Sequence, residues 1–264
     1  MSKKIGLALG SGGARGLAHL GVLQVLVENK IEVNMIAGSS IGAFMGVWYA
    51  LCRGPYFMVE EIKKKKPKDM AEVMMDFGLG GGLINGRKLE AFIEKMIGKK
   101  KFSDLSFPVT VVATDIEHGL PVKFTSGELA PCVRASMSVP LFFRPAEIGG
   151  LKLVDGGLTR PVPVEEVRSM GADVVVAVNL DGGFLAHPAT AKKFTFASVS
   201  QQALNIVRHH LSEYETRQAD IVLNPDTGIT SILGLKNFFD VDTLVAIGRE
   251  AMMAELGELK KIIA

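Results

Sequence analysis

The sequence predicts an α/β fold built on an open, mostly parallel sheet with helices on both faces. Short aliphatic runs of the fully buried kind alternate with helix-like segments. Three glycine-rich segments, residues 10–16, 38–42 and 155–157, each follow one of these runs. In a parallel sheet such segments lie at the carboxyl ends of the strands, along the edge where ligands bind. We expect one domain spanning residues 1–264, with its site at that edge.

The strands and helices are assigned from β-branched runs and from apolar residues at helical spacing. The predicted strands are Ile5 to Leu9, Val33 to Ala37, Val109 to Ala113, Leu151 to Val154, Val174 to Val178 and an edge strand at Ile221 to Leu223. A hairpin over Ile116 to Phe124, with its turn at His118-Gly119, extends the third strand. The predicted helices are Leu17 to about Asn29, Ala43 to Leu51, Arg87 to Ile97, Val164 to Met170, Thr195 to Arg217 and Asp240 to Ile263.

Residues 54–86 interrupt this alternation and contain no strand pattern. The segment holds a lysine run at residues 63–66, a methionine-rich stretch and several glycines. It is interpreted either as a helical insertion with a solvated basic end, or as a mobile cap. Methionines suit variable apolar ligands, and the lysines would favour anionic lipid headgroups. The segment from Asp181 to Phe196 is expected to form a second loop on the same rim.

Composition excludes several classes of function. A net charge of +2 gives no basis for nucleic-acid binding. The two cysteines, Cys52 and Cys132, form no metal or disulfide motif, which is typical of reduced thiols inside a cell. The longest charge-free helical stretch, Ile41 to Cys52, is too short to span a bilayer. We expect a cytoplasmic protein, at most in peripheral contact with a membrane, with no metal and no cofactor.

The segment Gly38-Ser39-Ser40-Ile41-Gly42 has the strand-to-helix context of a nucleophile elbow. Its outer glycines permit a sharp turn without side-chain collision. The turn leaves Ser40 at a helix N-terminus, where backbone N–H groups and the helix dipole favour negative charge. The sequence therefore predicts that Ser40 is a nucleophile.

The loop from Gly10 to Gly16 matches neither common nucleotide-binding motif. Arg15 stands where a dinucleotide fingerprint needs a small residue, the ribose-binding acid is absent, and no Gly-Lys-Ser/Thr follows. The remaining interpretation is a nest of N–H groups, chiefly those of Gly12 and Gly13, that binds an anion. Beside a serine nucleophile, that anion is the tetrahedral oxyanion of acyl transfer.

Asp155 is the favoured general base. It ends a strand, and Gly156-Gly157 give it room to approach another loop. A carboxylate that is hydrogen-bonded to a serine and partly desolvated can accept its proton. Two alternatives stay open: Asp155 is a hairpin turn residue, or His209 or His210 completes a Ser-Asp-His triad.

Three of these motifs carry a family resemblance. The oxyanion-type loop Ser11-Gly12-Gly13-Ala14-Arg15-Gly16, the elbow and Asp155-Gly156-Gly157 resemble those of the patatin-like phospholipases. The nearest branch is the short bacterial type related to the neuropathy target esterase catalytic domain. A further stretch from Arg134 to Pro145 is similar, and the match runs from about Lys4 to Asn179. Ser11 departs from the family pattern, since it replaces the usual first glycine.

The resemblance implies a three-layer α/β/α fold and a Ser-Asp dyad without histidine. The function expected is a serine-dependent lipid acyl hydrolase acting on a lipid or small ester. An acyltransferase using the same serine is the alternative, and a non-enzymatic binding protein is a third hypothesis. The expected roles are Ser40 and Asp155 as dyad; Gly12, Gly13 and Ala14 as oxyanion donors; and Arg15, Gly16, Gly38, Gly42, Gly156 and Gly157 as supporting residues.

Overall fold

The computed structural model describes residues 3–74, 84–183, 186, 195–229 and 240–264. Eight strands are found within these ranges, in one sheet. Their bounds are β1 Ile5–Leu9, β2 Met35–Ser39, β3 Val109–Asp115, β4 Leu120–Phe124, β5 Ala146–Ile148, β6 Leu151–Asp155, β7 Val174–Val178 and β8 Ile221–Leu223.

The described part of the chain also contains nine α-helices. Their bounds are α1 Ala18–Glu28, α2 Ile41–Cys52, α3 Pro55–Lys63, α4 Pro67–Met74, α5 Arg87–Ile97, α6 Leu129–Ser136, α7 Val164–Ser169, α8 Phe196–Thr216 and α9 Val241–Ile263. None of these helices combines the length and the apolar character needed to cross a bilayer.

The sheet order is β5-β6-β3-β2-β1-β7-β8, with β4 paired to β3. Five neighbouring strands run parallel to one another: β3, β2, β1, β7 and β8. The strands β4, β5 and β6 are added by antiparallel pairing. The expected mostly parallel α/β/α architecture is thus confirmed, with β8 as an edge strand.

Alternate side chains of the central strands enter two different cores. In β1, Leu7 and Leu9 lie in the larger core with the apolar residues of α1, α2 and α9. Ala8, between them, lies in a smaller core with Val164 and Val167 of α7. Buried strands in a three-layer fold need apolar residues on both faces, which explains their continuous hydrophobic runs.

Most of the predicted elements are confirmed, and β2 is displaced by two residues. It runs through Gly38 and Ser39, which look like turn residues in the sequence. A side chain at Gly38 would place its Cβ 2.5 Å from the backbone N of Ala43. The absence of a side chain at Gly38 therefore lets α2 approach the end of this strand closely. The sequence patterns did not predict α6 or β5.

The strand β6 does not run parallel to its neighbour, as the prediction of a shared carboxyl edge assumed. It pairs antiparallel with Ala113 to Asp115 of β3. The strand β2 pairs with β3 only as far as Val112, and β4 occupies the opposite edge. Because a strand has two edges, β2 and β6 share one edge of β3, carboxyl end against carboxyl end. This head-on arrangement brings residues 40 and 155 together.

The segment 54–86 contains the helices α3 and α4, and residues 75–83 lie outside the described residues. Met58 of α3 is buried, whereas Tyr56 and Phe57 are exposed. Lys63 forms an ion pair with Asp242 of α9. The helical-insertion interpretation describes α3 and α4; the interpretation as a mobile cap stays a prediction. Most of the expected second rim loop, 184–185 and 187–194, also lies outside the described residues.

Two glycines of α9 provide a test of its packing against α1. A Cβ at Gly248 would lie 1.9 Å from the carbonyl oxygen of Ala18, whereas a Cβ at Gly257 would meet nothing within 4 Å. Gly248→Ala should destabilise the fold by about 1–3 kcal/mol through overpacking. Gly257→Ala should stabilise it by up to about 1 kcal/mol through helix propensity. Thermal unfolding of both variants checks this, and equal shifts of Tm would contradict the close packing.

Candidate active site

Ser40 lies at a sharp turn between β2 and α2. Its backbone adopts φ 55° and ψ −123°, a conformation that L-residues rarely occupy, and it is the N-cap of α2. A side chain at position 42 would place its Cβ 2.1 Å from the carbonyl oxygen of Leu9, so this turn requires glycine there. A strained serine at a helix N-terminus after a parallel strand is the geometry of a nucleophile elbow.

The side chain of Ser40 is hydrogen-bonded to Asp155. Ser40 Oγ donates to Asp155 Oδ2 at 2.5 Å, and both residues are buried. The other oxygen, Oδ1, accepts a hydrogen bond from the N–H of Gly157 at 2.8 Å. Asp155 caps a short 3-10 helix, Gly156–Leu158, so it is not a hairpin turn residue. The structure thus brings together the two predicted dyad residues.

Residues between the two strand ends hold this pair in place. Ser136 Oγ accepts a hydrogen bond from the N–H of Ser40 and donates one to the carbonyl of Val112. A Cβ at Gly156 would lie 2.1 Å from that same carbonyl oxygen. The close approach of the two strand ends therefore requires glycine at position 156.

The glycine loop forms a 3-10 helix, Gly13–Leu17, beside Ser40. Its first intrahelical hydrogen bond runs from the N–H of Arg15 to the carbonyl of Gly12. The N–H groups of Gly13 and Ala14 therefore have no carbonyl one turn earlier to bind. Gly13 has a φ of 56°, which favours glycine.

The loop and the dyad line one small cleft that opens to solvent. Gly12, Gly13, Ser40, Asp155 and Gly157 form its polar part. Ala14 is fully buried in the core and does not line this cleft. The remaining lining residues are Val139, Pro140, Leu158, Leu204 and Arg208.

Arg15 is buried and fixes the loop from behind the glycines. Its Nε donates to the carbonyl of Gly12, and its Nη2 forms an ion pair of 2.7 Å with Asp181. Its Nη1 donates to the carbonyl of Leu180. Gly16 permits close packing of the same loop, since a Cβ there would lie 2.3 Å from the side chain of Ile41. These contacts give Arg15 a structural role.

Burial raises the pKa of Asp155 above the ordinary range of an aspartic acid. The charge of Arg208 and the hydrogen bonds from Ser40 and Gly157 oppose this shift, and the charge of Asp181 adds to it. A carboxylate with a raised pKa is a stronger base toward a serine proton.

The histidines occupy other positions. His209 is buried and its Nδ1 bonds to the carbonyl of Asp181, while His210 is exposed. Burial lowers the pKa of His19 to about 4, and its Nε2 bonds to the carbonyl of Gly10. His118 pairs with Asp115 in the β3–β4 turn. His187 lies outside the described residues. The hydrogen bond of Ser40 Oγ goes to Asp155, which favours the dyad over a triad.

Residues 7–168 match the model of the patatin-like phospholipase family. The chain belongs to this family. An uncharacterized NTE family protein of Mycobacterium bovis is 35% identical over 181 residues, covering 69% of this chain and 50% of that protein. Patatin-like phospholipase domain-containing protein 7 of Rattus norvegicus is 35% identical over 182 residues, covering 67% of this chain and 13% of the rat protein. Lysophospholipase NTE1 of Pyricularia oryzae is 33% identical over 183 residues, covering 67% of this chain and 12% of the fungal protein.

This chain therefore spans half or less of the length of these patatin-like relatives. Two solved structures share its fold. VipD from Legionella pneumophila has a TM-score of 0.59 at 13% identity, covering 97% of this chain and 67% of that chain. Human GIVD cytosolic phospholipase A2 has a TM-score of 0.50 at 13% identity, covering 99% of this chain and 59% of the human chain.

Three residues of the site were missed by sequence reasoning: Ser136, Asp181 and Arg208. Ser136 lies within the family-like stretch from Arg134 to Pro145 but was given no role, and Asp181 carries no motif of its own, since isolated aspartates are common in loops. Arg208 and Glu215 are, with Glu213, the charged residues of the 21-residue helix α8, and both are buried. A charge within an otherwise uncharged stretch was the signal that could have identified Arg208.

Asp155→Asn tests the electrostatic cost of the buried carboxylate. Below about pH 3.9 the acid is protonated in both the folded and the unfolded state. As the pH rises toward the raised folded-state pKa, the unfolded state loses its proton first, so the wild type loses stability relative to the variant. The Tm of Asp155→Asn minus that of the wild type should increase from pH 4 to pH 7. A decrease over this range would contradict the direction of the shift.

Proposed function

We propose that this protein is a serine-dependent lipid acyl hydrolase that uses Ser40 as nucleophile and Asp155 as general base. The observation that carries the proposal is the hydrogen bond from Ser40 Oγ to Asp155 Oδ2 at a strained elbow. The family supports lipid hydrolysis, since one matched relative is named a lysophospholipase.

In the first step, Ser40 Oγ bonds to the ester carbonyl carbon and its proton passes to Asp155. The carbonyl electron pair moves to oxygen, which becomes the oxyanion of a tetrahedral intermediate. Collapse of this intermediate breaks the ester bond, and the leaving alcohol takes the proton from Asp155. Asp155 then accepts a proton from water, whose oxygen bonds to the acyl carbon of the acyl-enzyme. Collapse of this second tetrahedral intermediate breaks the bond to Ser40 Oγ, which takes the proton back from Asp155, and the fatty acid is released.

The N–H groups of Gly12 and Gly13, with that of Ala14 as third candidate, are the proposed oxyanion donors. Gly12 and Gly13 line the same cleft as Ser40, and the first turn of their 3-10 helix leaves N–H groups without intrahelical acceptors. One such donor contributes a factor of about 10²–10³ to the rate. Gly38, Gly42 and Gly156 support the site by allowing close backbone approach, and Gly157 leaves room for the side chains of Ser11 and Asp155.

We place the acyl chain in a second, apolar cavity. All its lining side chains are apolar except that of Lys65. Two of its lining residues adjoin the site along the chain: Leu17 ends the oxyanion-loop helix, and Ile41 directly follows Ser40. Ligand pockets are lined mostly by apolar side chains, and such a lining suits a fatty acyl chain. Peripheral contact with a membrane stays a prediction from the sequence.

Labelling with a fluorophosphonate, followed by mass spectrometry, should place the adduct on Ser40. Ser40→Ala should lose both the label and p-nitrophenyl ester hydrolysis. Asp155→Asn should lower kcat by about 10²–10⁴-fold, the usual contribution of a positioned general base.

Folding of both variants is checked by circular dichroism and Tm, since the Asn variant retains the size of the side chain. Labelling at another serine, or full activity of Asp155→Asn, would contradict the dyad. Release of free fatty acid rather than acylation of added glycerol separates hydrolysis from acyl transfer.

Ile62→Trp tests the acyl cavity. Ile62 of α3 lines it, so the larger indole should occupy space that a long chain needs. The ratio of kcat/KM for a C16 ester to that for a C4 ester should fall by roughly 10-fold, within the range for lost methylene contacts. Phe57→Trp, on the same helix and exposed, is the matched control and should leave the ratio unchanged. An unchanged ratio in Ile62→Trp would place the acyl chain elsewhere.

A further inference from the structure

We infer that Arg208 is a positioning residue of the active site, which balances the charge of the catalytic centre and fixes the oxyanion loop. This inference rests on the proposed function. Arg208 lies on α8, outside the residues that match the family model. It lines the cleft that contains Ser40 and Asp155.

The helix α8 has an unusual distribution of side chains. Its buried positions are polar or charged: Asn205, Arg208, His209, Ser212, Glu215 and Thr216. Its exposed positions include the large apolar residues Phe196, Val199, Ile206, Val207 and Tyr214. A helix normally buries its apolar face. The inward orientation of the polar face of α8 is therefore explained by the contacts that its side chains make inside the protein.

Arg208 contacts the oxyanion loop and a buried carboxylate. Its Nη2 donates to Ser11 Oγ at 2.8 Å and to Asp181 Oδ2 at 2.7 Å. The other oxygen of Asp181 binds Arg15, whose Nε holds the carbonyl of Gly12. Two buried arginines thus share one carboxylate, and each of them binds the glycine loop.

The charges of this cluster balance. Arg15 and Arg208 carry two positive charges, and Asp181 and ionised Asp155 carry two negative charges. When Ser40 attacks, its proton neutralises Asp155 and the negative charge appears on the substrate oxygen in the same cleft. Arg208 therefore faces a negative charge before and after the step, which favours a role in charge balance over recognition of an additional anionic headgroup.

The charge of Arg208 also acts on the base. The charged groups that act on Asp155 are Arg208, which lowers its pKa, and Asp181, which raises it. Burial opposes ionisation of Asp181, but Arg208 and Arg15 hold its pKa below the ordinary value. Without Arg208, Asp155 would lose its proton only at higher pH. The acid limb of the activity profile, where activity rises with pH as Asp155 ionises, would then move to higher pH.

The test compares Arg208→Met, Arg208→Lys and the wild type in p-nitrophenyl ester hydrolysis. Arg208→Met should lower kcat by about 10²-fold or more, comparable to the loss of an oxyanion donor, with little change in KM. The acid limb of its kcat/KM profile should move to higher pH. Arg208→Lys keeps the charge and should retain the wild-type acid limb with a smaller loss of kcat.

Arg217→Met is the matched control, because Arg217 ends the same helix, is exposed and stacks on Tyr214. It should leave kcat and the acid limb unchanged. An unmoved acid limb in Arg208→Met, or a rise of KM with kcat retained, would overturn the inference. If Arg208→Met does not fold, a shifted acid limb in Arg208→Lys would overturn it. A wild type without fluorophosphonate labelling at Ser40 would instead reject the proposed function.

Discussion

The active site depends on the sharing of one edge of β3 by two strands that meet at their carboxyl ends. The strand β2 pairs with β3 up to Val112, and β6 pairs with Ala113 to Asp115. Ser40 and Asp155 are the residues at these two ends, so the hydrogen-bonded ladder of β3 sets the distance between them. In the proposed function, a nucleophile held by a strained turn and a base held by a strand end would need little reorganisation during the reaction.

The second constraint is the burial of charge beside this junction. Asp155, Asp181, Arg15 and Arg208 are all nearly inaccessible to solvent. Burial of a charge is costly unless it is paired and hydrogen-bonded, and here each carboxylate oxygen of Asp181 has an arginine partner. The glycine loop is held by the same arginines.

Much of the architecture follows from local patterns, because buried parallel strands and amphipathic helices have strong periodicities. The strands β1 and β7 and the helix α5 occur at the predicted bounds. The direction of β6 was not predictable, since a short run such as Leu151 to Asp155 pairs equally well in either orientation. The elbow and the glycine loop were recognisable from their glycines, whereas Arg208 required knowledge of how α8 packs.

The junction of β2 and β6 also has a consequence for biosynthesis. Ser40 and Asp155 are separated by 115 residues along the chain, and ribosomes add about 5–20 residues per second. The serine therefore leaves the ribosome several seconds before its carboxylate partner is made. During that interval the nascent protein carries the hydroxyl without its carboxylate partner, so the proposed hydrolase activity can arise only after β6 has been translated.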